Sequence, residues 1–190
     1  MFEAPPALSH SSLVDAKRVL IQGRDTFKIC CMGARNGAEL VSLRASLEAA
    51  GCRSNFANAE TEVTVFGTDI SPAAKTIENM YQLDFHEVLP PFLGPVDAIY
   101  SNSLDQSNDP RRAVHAWVDS LLPDGLLYIQ MSRGHGKQSL SMLDPFSIEP
   151  EFFPFVFLQW IDGKAYIDAV LFPDVNCKTE VIFVIRKSRL

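Results

Sequence analysis

The sequence predicts an α/β protein built on a doubly wound, mostly parallel sheet with antiparallel strands at its C-terminal end. Strand and helix patterns alternate over residues 28–131, which is typical of βαβ units and a parallel sheet. Beyond residue 131 three β-rich runs follow one another with no helical pattern between them. The chain has 190 residues, 47% of them apolar, so we expect a single domain over 1–190 with a substantial core.

Local signals define each element of this sheet. Leu40, Leu43 and Leu47 fall on one helical face ahead of Gly51, a residue type that ends helices. Ser71-Pro72 and Asp109-Pro110 each place a capping side chain before a proline, a pair that opens helices. The predicted order is a leading helix at 11–22 within the segment 1–25, strand 28–32, helix 37–50, strand 63–68, a helix from 71, a weak strand 82–85, strand 96–101, a helix from 109, a turn at 123–125 and strand 126–131.

The segment 150–190 is expected to complete the edge of the sheet. Its β-rich runs are 155–161, 164–172 and 179–187. Asp162-Gly163 is a strong hairpin signal between the first two runs. These runs therefore predict an antiparallel meander.

Composition excludes several classes of protein. The net charge is -6, and Arg111-Arg112 and Arg186-Lys187 are separate basic pairs interleaved with acids, so no basic strip for nucleic acid is expected. The four cysteines form no C-x-x-C pair with histidine partners, which argues against structural zinc. The chain has no apolar run that could span a bilayer and no signal-peptide pattern, so we expect a soluble, cytoplasmic protein without a membrane partner.

A glycine-containing loop follows the first predicted strand and opens the next helix. Glycine lets the backbone approach a ligand closely, and the helix start offers free N–H groups. A plain strand-to-helix turn explains the loop equally well. The candidate ligand-binding residues in this loop are Gly33, Ala34, Arg35, Gly37 and Glu39.

Polar residues also lie at or just beyond the ends of the second, third and fourth strands. Asp69, followed by Ile70, ends the second strand, where a carboxylate can accept hydrogen bonds from both hydroxyls of a ribose. Asp84-Phe85 ends the weak third strand, and Ser101 and Asn102 lie at the end of the fourth. Because carboxyl ends of parallel strands meet at one edge, these residues are expected to surround one crevice.

The segment 28–131 resembles the class I S-adenosylmethionine-dependent methyltransferases, a superfamily with a Rossmann-like fold. Residues 33–39 resemble their first motif, and residues 96–130 their fourth and fifth strand region. The resemblance implies that Asp69 holds the cofactor ribose, that Asp84-Phe85 binds the adenine, and that S-adenosylmethionine is the cofactor. It also implies that the final strand inserts between the fifth and the sixth.

Three positions depart from the family pattern. Cys31 stands where many members carry an acid, two places before the first motif glycine. Arg35 replaces the middle glycine of the motif, and Gln106 stands where some small-molecule methyltransferases have a histidine. Glu39 and Arg35 are the candidates for the missing polar contacts.

Methyl transfer depends mainly on alignment, because the sulfonium is already activated. A general base helps only where the acceptor must lose a proton. Asp105 and His135 are the candidates for that role; a solvated loop histidine is the competing interpretation of His135. His86, beside the adenine pair, is interpreted as structural.

The acceptor is not identified by the sequence. No Asn-Pro-Pro-aromatic tetrad follows the fourth strand, so a small molecule or glycan is favoured over nucleic acid. The chain has no inserted cap over the crevice, so either the acceptor is large, or the leading helix and loops close the site, or a protein partner closes it. Two alternatives stay open: a non-catalytic S-adenosylmethionine-binding or assembly module, and an NAD-type oxidoreductase.

Overall fold

The computed structural model describes residues 26–49, 62–132, 141–142, 144–172 and 180–189. The strands of its seven-stranded sheet are β1 (Thr26–Met32), β2 (Glu62–Asp69), β3 (Met80–Gln82), β4 (Val96–Ser101), β5 (Leu121–Ser132), β6 (Ala165–Leu171) and β7 (Glu180–Lys187). The α-helices of this described part are α1 (Ala38–Ala49), α2 (Pro110–Ser120) and α3 (Phe153–Ile161). Short 3₁₀ helices span Pro72–Thr76 and Leu104–Gln106. The predicted leading helix lies outside the described residues.

The strand order is β3-β2-β1-β4-β5-β7-β6. β1 pairs in parallel with β2 on one side and with β4 on the other, so the order reverses at β1 and a crevice can open between the carboxyl ends of β1 and β4. β7 pairs antiparallel with both β5 and β6. The predicted doubly wound sheet with antiparallel C-terminal strands is confirmed, as is the insertion of the last strand between the fifth and sixth.

Apolar side chains fill both faces of the sheet. Helices α2 and α3 cover one face, where Trp117, Phe153 and Phe157 are fully buried. Helix α1 covers the other face over β1 and β2 and buries Leu40 there.

The prediction of a strand at 155–161 is wrong, because these residues belong to α3. Phe153, Phe157 and Ile161 recur every four residues and are buried, whereas Phe155 and Leu158 are exposed. A short apolar run fits a buried helix as well as a strand, so its periodicity does not separate the two. The Asp162-Gly163 pair ends this helix with left-handed backbone angles and does not join two strands of a hairpin.

The region around β3 also differs from the prediction. The strand spans Met80–Gln82, not 82–85, so Asp84 and Phe85 lie in the loop beyond its carboxyl end. The helix expected from residue 71 is a single short 3₁₀ helix, which Ser71 caps by accepting a hydrogen bond from the Ala73 N–H at 3.3 Å. β3 pairs with only three residues of β2, so little sheet structure fixes this loop.

The fifth strand starts earlier than predicted. Leu121 already pairs with Val96, and pairing resumes between Leu126 and Ala98 after an irregularity. The predicted turn therefore interrupts β5, and its Asp124 has a φ of 63°. No helix in the described part of the chain is long and apolar enough to cross a membrane.

Candidate functional site

The structure brings most of the predicted site residues to the carboxyl edge of the parallel strands. The loop from β1 to α1 supplies four of them and the first turn of α1 supplies Glu39. The end of β2 supplies Asp69 and Ile70, the loop after β3 supplies Asp84 and Phe85, and the end of β4 supplies Ser101 and Asn102. Asp105 lies in the 3₁₀ helix that follows β4. His135 lies outside the described residues.

The glycine loop adopts left-handed backbone angles at three alternate residues. φ is 73° at Gly33, 42° at Arg35 and 76° at Gly37. Arg35 thus takes up a conformation that glycine adopts without cost, at a strain of roughly 1–2 kcal/mol for a side-chain-bearing residue. The loop keeps the backbone course of a glycine-rich turn although its middle glycine is missing.

Asp69 ties this loop to the end of β2. Its carboxylate is buried and accepts hydrogen bonds from the backbone N–H of Arg35 at 2.9 Å and of Ser71 at 2.8 Å. The Ala34 N–H donates to the Thr68 carbonyl at 2.9 Å beside it. A carboxylate has about four acceptor positions, so these two bonds leave capacity for a ligand.

Ser101 and Ser103 hold the other side of the loop. Ser101 Oγ donates to the Met32 carbonyl at 3.0 Å, and Ser103 Oγ donates to the Gly33 carbonyl at 3.1 Å. A Cβ on Gly33 would lie 2.8 Å from the Ser103 Cβ and 3.4 Å from the Phe85 ring. Gly33 is therefore required by the protein's own packing, and Phe85 lies against the glycine loop.

Glu39 supplies a carboxylate close to Cys31, the position at which many members of the resembling family carry an acid. It lies in the first turn of α1, where the helix dipole favours negative charge. Its Oε1 is 3.5 Å from Asn102 Nδ2, at the limit of a hydrogen bond, and its buried Oε2 has no hydrogen-bond partner among the described residues. Burial and the Glu39 charge raise the pKa of Cys31 to about 12. Cys31 therefore stays a neutral thiol, and the negative charge at the end of β1 belongs to Glu39.

The loop after β3 lies against β2 and α2. The Leu83 N–H donates to the Asp69 carbonyl at 3.0 Å, and Trp117 Nε1 donates to the Phe85 carbonyl at 2.9 Å. Asp84 is partly exposed and accepts from His86. Partial burial alone would raise the pKa of Asp84, but the hydrogen bonds from the backbone and ring of His86 outweigh it and lower that pKa below its usual value.

A cavity of about 230 Å³ opens beside these loops, towards β5 and β7. Asp105 and Glu180 bring two carboxylates to its wall. Tyr100 donates to Gln130 Oε1 at 2.6 Å, and Gln130 Nε2 donates to Glu180 at 2.9 Å, so Glu180 is held in place. The lining residues within the described part of the chain are Asn102, Leu104, Asp105, Gln130, Met131, Ser132, Phe146, Ser147, Ile148 and Glu180.

Sequence reasoning missed three contributors to this edge. Ser103 was not singled out, although it follows Asn102 directly. Glu180 was missed because it lies 50 residues from Gln130; the predicted insertion of the last strand beside the fifth was the available signal. The role of His86 depends on Ser107, which the sequence pattern does not bring near it.

Solved structures with this fold include methyltransferases. A chain of the Haloferax volcanii complex that contains the Trm112 methyltransferase activator is 16% identical, with a TM-score of 0.59 over 95% of this chain and 94% of that one. Magnesium protoporphyrin IX methyltransferase from Synechocystis PCC 6803, solved with bound SAM, is 14% identical, with a TM-score of 0.56 over 95% and 78%. The [4+2]-cyclase SpnF is 11% identical, with a TM-score of 0.62 over 93% and 80%.

The protein therefore has the Rossmann-like fold of the class I methyltransferases. No protein-family model matches the sequence. No curated protein sequence matches it either. At these identities the likeness establishes the fold, and the activity must be inferred from the site.

Proposed function

We propose that this protein binds S-adenosylmethionine in the crevice between β1 and β4 and transfers its methyl group to a small acceptor. The observation that carries the proposal is the buried Glu39 Oε2, which has no partner among the described residues. A buried acceptor without a donor is costly, and more so when it is charged. The cationic amino group of a bound methionine moiety would supply the missing donor. The residues present therefore fit this cofactor.

The other cofactor contacts follow from the same placement. Asp69 keeps acceptor capacity for the ribose hydroxyls beyond its two backbone bonds. Ile70 is 67% exposed next to it, an apolar surface suited to the face of an adenine ring. Asp84 would accept from the adenine amino group, and Phe85 would pack beside it. The backbone of Gly33, Ala34, Arg35 and Gly37 and the Ser101–Asn102 end of β4 would enclose the amino-acid part.

Bound S-adenosylmethionine supplies an activated methyl group, so the chain's main contribution is alignment. The cavity beside Asn102 is the proposed acceptor site. Asp105 lies in its wall and is the described candidate for a general base, should the acceptor need to lose a proton. His135 remains a second candidate from the sequence.

The cavity favours a small acceptor over nucleic acid. Its volume of about 230 Å³ is below the usual range of ligand pockets, roughly 300–1,000 Å³. Asp105 and Glu180 would repel a phosphate backbone, and its described lining includes no cationic side chain. A small molecule or the end of a glycan fits both constraints. A protein partner that covers the crevice remains compatible with this arrangement.

Calorimetric titration with S-adenosylmethionine, S-adenosylhomocysteine and NAD tests the proposal. We expect the two sulfur compounds to bind with one site per chain and NAD not to bind. Glu39→Gln should weaken the binding of S-adenosylhomocysteine at least tenfold, the scale of one charged hydrogen bond. Glu48→Gln, an exposed carboxylate near the other end of α1, is the matched control and should leave the affinity unchanged. Absence of binding to the wild-type protein would reject the proposed function.

A second candidate function is cofactor binding without methyl transfer. The fold likeness to a [4+2]-cyclase favours keeping it, because methyl transfer does not follow from the fold. In that case S-adenosylmethionine would bind with the same dependence on Glu39, but no methyl group would leave it. Release of S-adenosylhomocysteine during incubation with acceptor libraries separates the two functions.

A further inference from the structure

Three side chains form a continuous line from the loop after β3 to the start of α2. His86 Nδ1 lies 2.7 Å from Asp84 Oδ1, and His86 Nε2 lies 2.7 Å from Ser107 Oγ. Ser107 Oγ also accepts from the backbone N–H of Asp109, the N-cap of α2, at 3.2 Å. Burial differs sharply along the line, because the His86 side chain is 13% exposed and that of Asp84 is 43% exposed.

The order Asp–His–Ser is also that of a hydrolytic triad, but the serine here is not available as a nucleophile. Ser107 is 1% exposed, so a substrate cannot reach its hydroxyl group. Its oxygen is occupied by the Asp109 N–H as well as by His86. The accessible end of the line is the carboxylate of Asp84. These hydrogen bonds therefore fix the carboxylate of Asp84 and do not activate Ser107 as a nucleophile.

One assignment of protons satisfies every member of the line. The lowered pKa of Asp84 keeps its carboxylate charged, so His86 Nδ1 carries the proton and donates it. With Nδ1 as the donor, Nε2 can accept from the Ser107 hydroxyl group. The Asp109 N–H completes the bonding of Ser107. The ring is thus held at both nitrogens.

The consequence is that the two oxygens of Asp84 have different roles. Oδ1 accepts from both the backbone N–H of His86, at 2.9 Å, and its ring. Oδ2 has no hydrogen-bond partner among the described residues, on a side chain that solvent reaches. Trp117 fixes the same loop by donating to the Phe85 carbonyl. An otherwise rotatable carboxylate therefore presents one oxygen outward in a fixed direction.

We propose that His86 is a positioning residue that makes the site selective for a 6-amino purine. By holding Oδ1, it directs Asp84 Oδ2 to accept from an exocyclic amino group. A 6-oxo purine presents a carbonyl oxygen to that carboxylate and is repelled. The proposal rests on the proposed function, because it assumes that Asp84 meets the adenine of the cofactor.

The test compares the affinities for S-adenosylhomocysteine and S-inosylhomocysteine, measured by calorimetry. We expect the wild-type protein to prefer the adenine compound at least tenfold. His86→Asn places an amide N–H near the position of Nδ1 and should keep most of that ratio. His86→Gln places its amide near the position of Nε2, retains the Ser107 contact, and should reduce the ratio to threefold or less. A general structural role for His86 would change both affinities equally and leave the ratio unaltered.

Ser107→Ala provides a second variant that does not alter the histidine. It frees Nε2 and should lower the ratio about twofold to threefold, while a thermal melt reports whether the fold persists. If His86→Gln fails to fold, Ser107→Ala decides the matter. An unchanged ratio in a folded His86→Gln or Ser107→Ala protein would overturn the role of His86 alone. Failure of the wild-type protein to bind either compound would overturn the proposed function with it.

Discussion

Asp69 and Asp97 are both buried aspartates that accept backbone hydrogen bonds, and they lie at opposite ends of the sheet. Asp97, near the amino end of β4, accepts from the Lys28 N–H at 2.8 Å and ties β4 to β1. Asp69, at the carboxyl end of β2, ties the glycine loop to β2. The carboxyl edge also holds an exposed isoleucine, Ile70, beside Asp69, and a carboxylate oxygen of Glu39 without a described partner. The same residue type is thus structural at one edge and, we propose, also a ligand contact at the other.

The largest expected difference in stability is between alanine substitutions at two glycines with similar positive φ angles, one at each edge of the sheet. Gly33 has a φ of 73° and a crowded neighbourhood, whereas Gly163, at the amino edge before β6, has a φ of 78° with nothing within 4 Å of its added Cβ. Gly33→Ala combines backbone strain with a clash against Ser103 and should cost about 3 kcal/mol of unfolding free energy. Gly163→Ala adds only the strain, about 1 kcal/mol. Denaturant unfolding measures both, and equal losses would contradict the close packing of the glycine loop.

The second comparison is between Asp69 and Asp97, whose loss should lower stability in both cases but ligand affinity in only one. Asp69→Ala and Asp97→Ala each leave a partly buried backbone N–H without its acceptor, so each should lower the unfolding free energy by about 1–3 kcal/mol. Only Asp69→Ala should weaken the binding of S-adenosylhomocysteine, at least tenfold, because it also removes the acceptor for the ribose hydroxyls. Calorimetry below the melting temperature of both variants makes the comparison. If Asp97→Ala weakened binding as much as Asp69→Ala, the special role of the carboxyl edge would be refuted.

The last prediction concerns the buried Cys31 thiol near the carboxyl end of β1. With a pKa of about 12, Cys31 should form roughly a thousandfold less thiolate at pH 8 than a free cysteine and alkylate correspondingly slowly. Stability from the neutral thiol is present below the unfolded pKa and is lost as the pH rises through the folded value. Glu39→Gln should lower the pKa of Cys31 and speed its alkylation.

Mass spectrometry of a Cys52→Ser, Cys177→Ser protein measures this reaction and resolves Cys31 from Cys30. Cys30 is fully buried, and burial raises its pKa well above the usual value, so it serves as the internal reference. Rapid alkylation of Cys31 would show that the end of β1 is more open or less negative than described.

The sequence predicted the sheet because its signals are local. Hydrophobic runs, capping pairs such as Asp109-Pro110 and the glycine loop each depend on a few neighbouring residues, and β4 has the predicted bounds. The run at 155–161 was misread because a short apolar run fits a buried helix as well as a strand, and the helix is favoured by the burial of Phe153 and Phe157 against β7 and α2. Local sequence patterns therefore predicted the parallel strands better than α3, whose conformation depends on contacts with residues distant in the sequence.

For the candidate site too, the sequence predicted where the residues lie but not the contacts between them. That Gly33, Asp69, Asp84 and Asn102 share one edge followed from their positions after parallel strands. The contacts that set their chemistry did not, because Ser103 meets Gly33 across 70 residues and His86 meets Ser107 across 21. Such contacts depend on how closely loops approach after folding, which residue order alone does not specify. Whether these residues bind the cofactor remains a prediction.

A crystal structure of the complex with S-adenosylhomocysteine tests the central claim most directly. We predict the ligand in the crevice between the carboxyl ends of β1 and β4. Its amino group should lie within hydrogen-bond distance of Glu39 Oε2, its ribose at Asp69, and its adenine amino group at Asp84 Oδ2. A ligand bound elsewhere on the protein, or one in the crevice with its adenine away from Asp84, would contradict the account.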